Sequence, residues 1–591
     1  MRIRRWAGAA IALCVTLSAC SSSGGDAGGT TGVGTSGAGN SSAPGTAGGS
    51  TSPSDGASPS DGGASPSDGS ASPSTGAPSQ SGGIVQTTLD QDVTTLLPMD
   101  SNVADNIAVL DVVYDGLVRY DPKTKEPYNY VAEDISAKDN TVWTIKIKSG
   151  LKFQNGEPVD ADAFARAWNY AAYGPNAVAN NYFFERVVGY DKTQGETDDD
   201  GKVTKEPEAK TLSGLKVVDP TTLQVTLNAP FAGFSTMLGY TGFFPVAKAC
   251  LADVKACAIK PIGNGPFKVD QWQQGVKLTL SKWTDYTLKE TPNYSGIVFT
   301  EYKGDSSWAD FQAGTIDFGA PPPSEVGAAE SDPDLQARKV SGPGAALVYI
   351  GFPLYKGAPF NNIEFRKAVS MAIDRESIIK AVLPGQAVPA TSWVVPDGVP
   401  GGVANTCEWC KYDVAAAKQA LAAAGGWPAG KKLTISLGKD DTQTQYFKAI
   451  GDQLKANLGI DYTLDPTPDF FKRRTARDFD GIYRNNWFPD YPLNENYLAP
   501  VYASGDAKKG NTNFGYYNAD FEKSIKAGDS AADIGAAVSK YQEAEKVLAK
   551  DFPTVPVSFS LNVSYFSERV DNVVLDPFSG AVKLRLLNYK G

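Results

Sequence analysis

A chain of 591 residues without one histidine has few routes to catalysis. Serine–histidine and cysteine–histidine nucleophiles, histidine-ligated zinc and imidazole proton transfer are all excluded. Carboxylates remain for acid–base work. Yet the sequence holds no phosphate-binding glycine loop, no nucleophile elbow and no cluster of metal ligands. Asp198-Asp-Asp-Gly-Lys202 looks like the start of a calcium loop but lacks the later ligands in register. It reads as part of a polar surface insertion from Gly195 to Glu208. Four of the six cysteines fall into two close pairs, Cys250 with Cys257 and Cys407 with Cys410. The second pair, Cys407-Glu-Trp-Cys410, also has the spacing of a redox pair or half a zinc site, but no thioredoxin-like pattern surrounds it. Outside the cytoplasm two short structural disulfides are the expectation, although spacing does not fix connectivity. These residues predict no enzyme, no metal and no cofactor.

The elements that carry these residues begin with an export signal. Met1-Arg-Ile-Arg-Arg5 precedes a short apolar stretch from Trp6 to Ala19, too short to span a bilayer. The stretch ends Leu17-Ser18-Ala19-Cys20, which resembles the lipobox of bacterial lipoproteins. That resemblance implies cleavage of residues 1–19 and a lipid on Cys20. The segment 20–83 is then almost wholly Ser, Gly, Ala, Thr and Pro, with Ser-Pro-Ser-Asp-Gly or a close variant starting at Ser52, Ser58 and Ser65. Such a segment cannot bury enough apolar surface to offset its chain entropy and reads as a flexible tether, ~45 Å between its ends as a coil. The chain has 55 Lys and Arg against 66 Asp and Glu, a net charge of −11. With no long basic run, nucleic acid is excluded as a partner.

Composition changes at Ile84. Thr141 to Lys148, Thr222 to Leu227 and Val276 to Leu280 alternate apolar and polar residues as half-buried strands do. Helical periodicity runs over Ala161–Ala172, 362–381, 414–424, 444–458 and 532–549. Gly263 and Gly265 around Asn264 suggest a tight turn with positive φ, and Gly150 and Gly156 suggest the same. Arg366 and Asp374, eight apart on one predicted helix, suggest ion pairs on its surface or between lobes. Strands and helices interleave, so the class is α/β with mixed sheets. The folded length exceeds one hydrophobic core, so at least two lobes are required.

Eight segments occur in a characteristic order. They are Val113-Tyr-Asp-Gly-Leu-Val118, Trp143 to Val159, Pro261-Ile-Gly-Asn-Gly-Pro-Phe-Lys268, Ala313-Gly-Thr-Ile-Asp317, Phe365 to Arg375, Gly385, Tyr412 to Gly425, and Asn486-Trp-Phe-Pro-Asp-Tyr-Pro492 with Asn496-Tyr-Leu498. Together they resemble the extracellular solute-binding proteins of the oligopeptide and dipeptide type that serve ABC importers, from about Leu89 to Pro556. The resemblance implies a two-lobed periplasmic-binding-protein-like fold of type II with a hinged cleft. It places lobe I at 84–124, 216–340 and 556–591, an added subdomain at 125–215 and lobe II at 341–555.

The resemblance also assigns a site. Unaided, Asp490 reads as a turn aspartate before Pro492. In the family this stretch lines the cleft, which makes Asp490 the counter-charge for the α-ammonium of a bound peptide. Trp487, Asn486, Phe488 and Tyr491 stand around it. A second cleft segment near Ala104 brings Asp105 and Asn106 toward the ligand backbone. The family usually has glycine where this chain has Asn486, and a small residue where it has Phe488-Pro489, so the cleft here is reshaped. The implied partners are a peptide ligand, an ABC permease with its ATPase subunits, and the membrane through the lipid anchor. The chain is expected to work as a monomer on the extracellular face of the cytoplasmic membrane. Two other readings are the same fold with another solute, an oligosaccharide stacked on Trp393, Trp409 or Trp487, a nickel chelate or an opine, and a secreted carboxylate-pair hydrolase.

Overall fold

The computed structural model describes residues 82–90, 93–197, 203–303, 306–511, 513–576 and 579–591. The export signal, Cys20, the tether to residue 81 and the segment 198–202 lie outside the described residues. No described helix is long and apolar enough to cross a membrane.

Three sheets organise a two-lobed α/β fold. In the first, Ile84–Leu89, Gly296–Glu301, Lys277–Lys282 and Phe267–Gln273 lie side by side, the first pair parallel and the others antiparallel. The second belongs to the added subdomain and is antiparallel throughout, in the order Ala132–Lys138, Val142–Ile147, Thr222–Thr226, Leu215–Asp219. Its last two strands carry it past residue 215, so the subdomain sheet crosses the 215/216 boundary drawn from sequence. In Val142–Ile147 the alternation works as predicted, with Trp143, Ile145 and Ile147 buried. The third sheet has seven strands, ordered Phe318–Gly319, Thr554–Phe566, Lys339–Gly351, Ile482–Trp487, Leu433–Gly438, Tyr462–Thr467, with Ala387–Pro389 paired to Thr554–Phe566. Its last three strands are parallel.

Lys339–Gly351 and Thr554–Phe566 are the two longest strands of this sheet. They pair antiparallel from Lys339 opposite Tyr565 to Gly351 opposite Thr554, with a break in register between Pro343 and Leu347. One apolar core lies under the first sheet, around Val85, Leu110, Phe267 and Phe299. A larger core runs without interruption from the subdomain into the second lobe, where the Phe231 ring meets Tyr491 edge-on at 6.4 Å.

Helix ends follow their capping residues. Asp160, Asp413, Asp440 and Asp533 accept backbone N–H groups at the starts of Ala161–Ala172, Val414–Ala423, Asp441–Leu458 and Ile534–Asp551. The predicted helix over 362–381 is in fact two, Ile363–Met371 and Arg375–Val382, because Asp374 takes an extended conformation and caps Ser377 N. Arg366 therefore makes no surface ion pair with it. The guanidinium is buried and donates to the carbonyls of Phe552, Phe360 and Asp551. Gly150 and Gly156 do adopt positive φ, 79° and 87°. Gly263 and Gly265 do not; they are close-approach glycines. A β-carbon on Gly263 would lie 2.0 Å from Val113 O, and one on Gly265 2.6 Å from Val113 C. Between them, Asn264 accepts from Asp115 N and donates to Asp115 O, which fixes the end of the Ala104–Val113 helix. Cys250 is bonded to Cys257 and Cys407 to Cys410.

Candidate functional site

Strand Ile482–Trp487 leads through a tight proline-bounded turn to helix Glu495–Tyr502, and Asp490 sits in that turn. Its backbone N–H donates to Asn496 Oδ1 at 2.8 Å. Across the chain, Tyr182 in the short Asn181–Phe184 helix donates its hydroxyl to Asp490 Oδ1 at 3.2 Å. Tyr182 stacks on Phe183, which packs on Tyr240 with ring centroids 4.5 Å apart. Burial of the carboxyl group pushes Asp490 up to about 7, against the hydrogen bonds from Tyr182 and Asn496. Among the described residues no Lys or Arg forms an ion pair with it. A desolvated carboxylate held by neutral donors alone is suited to an incoming cation.

A second carboxylate, this one fully buried, stands five residues on. Glu495 is also raised to about 7, chiefly by burial. Tyr491 donates to its Oε2 at 2.7 Å, and Arg186 Nη2 lies 3.2 Å from its Oε1. The Arg186 guanidinium also reaches Asp529 at 3.9 Å and covers the Phe231 ring at 4.0 Å. Asn140 donates to Ala531 O, and Ala232 N to Asp529 O. Tyr182, Arg186, Asn140 and Ala232 thus bind one continuous stretch of subdomain and adjoining chain to the 490–531 region of the second lobe.

The sequence-derived residues divide. Asn486, Trp487, Phe488, Asp490 and Tyr491 lie together by chain order. Asn486 Oδ1 accepts from Arg484 Nη1 at 3.0 Å, Phe488 is half-buried, and Tyr491 is buried against Phe231 and Glu495. Trp487 Nε1 is buried with no acceptor among the described residues. Asp105 and Asn106 open the Ala104–Val113 helix and serve local contacts. Asp105 accepts from Asp90 N, while Asn106 is buried and donates to Thr95 O and Ser101 Oγ. Asn180 Nδ2 donates to Ser101 O, so the Asn106 segment and the turn that carries Tyr182 adjoin at Ser101. Trp393 is fully buried and donates to Thr554 Oγ1, and Trp409 packs edge-on to Phe552, so neither presents a free platform for a sugar. The sequence reading missed Tyr182, Asn496, Arg186 and Glu495. The first has no local signal, whereas Asn496 lies on a segment already singled out and Glu495 directly precedes it.

The model of the bacterial extracellular solute-binding proteins, family 5, matches residues 126–509. The chain is 25% identical over 531 residues to the oligopeptide-binding protein OppA of Bacillus subtilis (strain 168), covering 85% of this chain and 93% of that one. It is 28% identical over 486 residues to the dipeptide-binding protein DppE of the same strain, covering 79% and 85%. In fold it matches the solved structure of HbpA2 from Haemophilus parasuis with a TM-score of 0.72 at 21% identity, over 86% of this chain and 100% of the other. With the matched segment running from the subdomain through Lys339–Gly351 to the Asp490 turn, the chain belongs to family 5 of the bacterial extracellular solute-binding proteins.

Proposed function

We propose that this chain is the lipid-anchored binding subunit of an ABC importer, capturing peptides between its lobes with Asp490 as the counter-charge for the ligand's α-ammonium. The observation that carries this reading is the desolvated Asp490 carboxylate, which has a phenol and an amide as neighbours and no ion-pair partner among the described residues. An ammonium entering the site loses its water, and a fixed carboxylate offsets that loss. The curated relatives named for oligopeptides and dipeptides support the ligand class. Peptide main chain paired in strand-like fashion supplies affinity without sequence choice. Cleavage before Cys20 and its acylation would tether the capture unit to the outer face of the cytoplasmic membrane, near its permease.

The test is calorimetric titration with trialanine and with N-acetyl trialanine. Wild type is expected to bind the first and not the second. Asp490→Asn is expected to weaken trialanine by about a hundredfold or more with unchanged circular dichroism. Equal binding of the acetylated peptide would overturn the assignment.

A further inference from the structure

A depression of about 360 Å³ opens between the 150–156 loop of the subdomain and the 283–288 connection of the first sheet. It shares no residue with the Asp490 turn. Its floor is pinned by hydrogen bonds. Gln154 donates through Nε2 to Phe267 O at 2.8 Å, and its Oε1 accepts from Gly263 N at 3.1 Å. Tyr286 donates its hydroxyl to Asp115 Oδ2 at 2.8 Å, and Asn264 exchanges hydrogen bonds with the backbone of the same aspartate. Asp115 is itself fully buried and paired with Arg585. At the mouth, β-carbons on Gly150 and Gly156 would meet nothing within 4 Å.

The wall and rim are open where the floor is closed. Trp283, 9% exposed, and Tyr286 stand 6.3 Å apart with ring planes inclined by 55°, an aromatic corner in the wall. The backbone N–H of Trp283 donates to Pro266 O, but its indole N–H has no acceptor among the described residues. A buried indole N–H ordinarily has one. On the rim, Lys152 and Asp285 are exposed and form no ion pair among the described residues. The depression therefore offers a flat apolar surface with unused donors and an unused acceptor, one charge of each sign. An anionic ligand would meet Asp285, and a cationic one Lys152. A neutral hydroxyl suits both, because it accepts from an ammonium or an indole N–H and donates to a carboxylate at once. A sugar ring carries such hydroxyls around its edge and an apolar C–H face that lies against an aromatic ring. A few polar groups orienting a ligand on an apolar wall is the ordinary build of a small-ligand site.

We propose that this depression is a saccharide-binding site separate from the cleft, with Trp283 and Tyr286 as the platform and Lys152 and Asp285 orienting the hydroxyls. It stands independently of the Asp490 reading, since the two share no residue. A chain so equipped takes hold of a glycan while its cleft is either empty or filled.

The experiment is calorimetric titration of the full-length chain with maltose, mannobiose and N,N′-diacetylchitobiose, with and without excess trialanine. At least one saccharide is expected to bind with a Kd of about 1 mM or tighter, equally in both conditions. Asp285→Ala and Lys152→Ala, both at exposed positions, are each expected to weaken it about tenfold. Trp283→Phe, which keeps an aromatic ring and removes the indole N–H, is expected to weaken it about threefold to tenfold, and the two exposed variants give the readout if it does not fold. No binding of any of these saccharides at about 10 mM would overturn the proposal. Loss of saccharide binding on adding trialanine would also overturn it, by placing the sugar in the cleft. Binding unaltered in all of these variants would overturn the residue assignment, and displacement of the saccharide by free alanine would show a site for zwitterions instead.

Discussion

With Asp490 as the proposed counter-charge, ligand capture is expected to depend on pH. Burial pushes the Asp490 and Glu495 carboxyls up to about 7 in the fold, against about 4 in an unfolded chain. Between those values the folded chain holds more protons than the unfolded one. Their stabilising contribution is therefore complete below about pH 4 and is lost as pH rises through 7, at up to about 1.4 kcal/mol per pH unit per group. The groups facing this pair are Tyr182, Tyr240 and Tyr120 around Asp490, and Arg186, Asp529 and Tyr491 around Glu495. Ligand affinity is expected to move the other way, because an ammonium needs the ionised Asp490. Calorimetry of trialanine from pH 5.5 to 8 should show affinity rising about tenfold per unit below 7 and levelling above it, with proton release on binding below 7. Urea midpoints over the same range should fall with pH, and less steeply in the Asp490→Asn, Glu495→Gln double variant. Tyr182 shows what sequence cannot display at this scale. It meets Asp490 across 308 residues, and nothing in Asn181-Tyr-Phe-Phe184 marks it as the partner of a distant turn.

At the scale of elements much was legible. The helix over Ala161–Ala172 appears with those bounds, since Asp160 caps it and its apolar spacing is clean. The break at Asp374 was hidden because apolar periodicity continues through it, and only the side chain's choice of a capping geometry divides the helix. Asp374→Ala is expected to cost about 1 kcal/mol in urea denaturation. The glycines of Pro261 to Lys268 were recognised as constrained, but for the wrong physical reason. Their constraint is the Val113 backbone lying against them, a tertiary fact with no local signature. Gly265→Ala is expected to destabilise by about 1–3 kcal/mol, read as a lower urea midpoint, although its φ suits any residue.

At the scale of the whole molecule, the subdomain and the second lobe share one core and a cross-chain ion pair. Arg186→Met removes the cation from fully buried Glu495 and is expected to destabilise by about 3–5 kcal/mol. Glu495→Gln placed on top should recover part of that loss, because the orphaned charge is gone; thermal unfolding of both variants checks this. The anchor proposed at Cys20 belongs to this scale too. Cys20→Ala is expected to move the chain from the detergent phase to the aqueous phase on detergent partitioning of cells, and retention in the detergent phase would sink the anchor.

The two longest strands of the third sheet carry a mechanical consequence. Lys339–Gly351 and Thr554–Phe566 are hydrogen-bonded to one another on both sides of a gap between Pro343 and Leu347, with a second shift of register between Val348 and Tyr349. Two independent linkers could let the lobes swivel, slide and tilt; a laced ribbon flexes mainly about one axis, at the place where its lacing is missing. Any movement of the lobes is then expected to follow essentially one axis. Fluorophore pairs attached at unrelated positions across the lobes would report the same midpoint and the same relaxation time, and a mismatch between them would show a second axis at work.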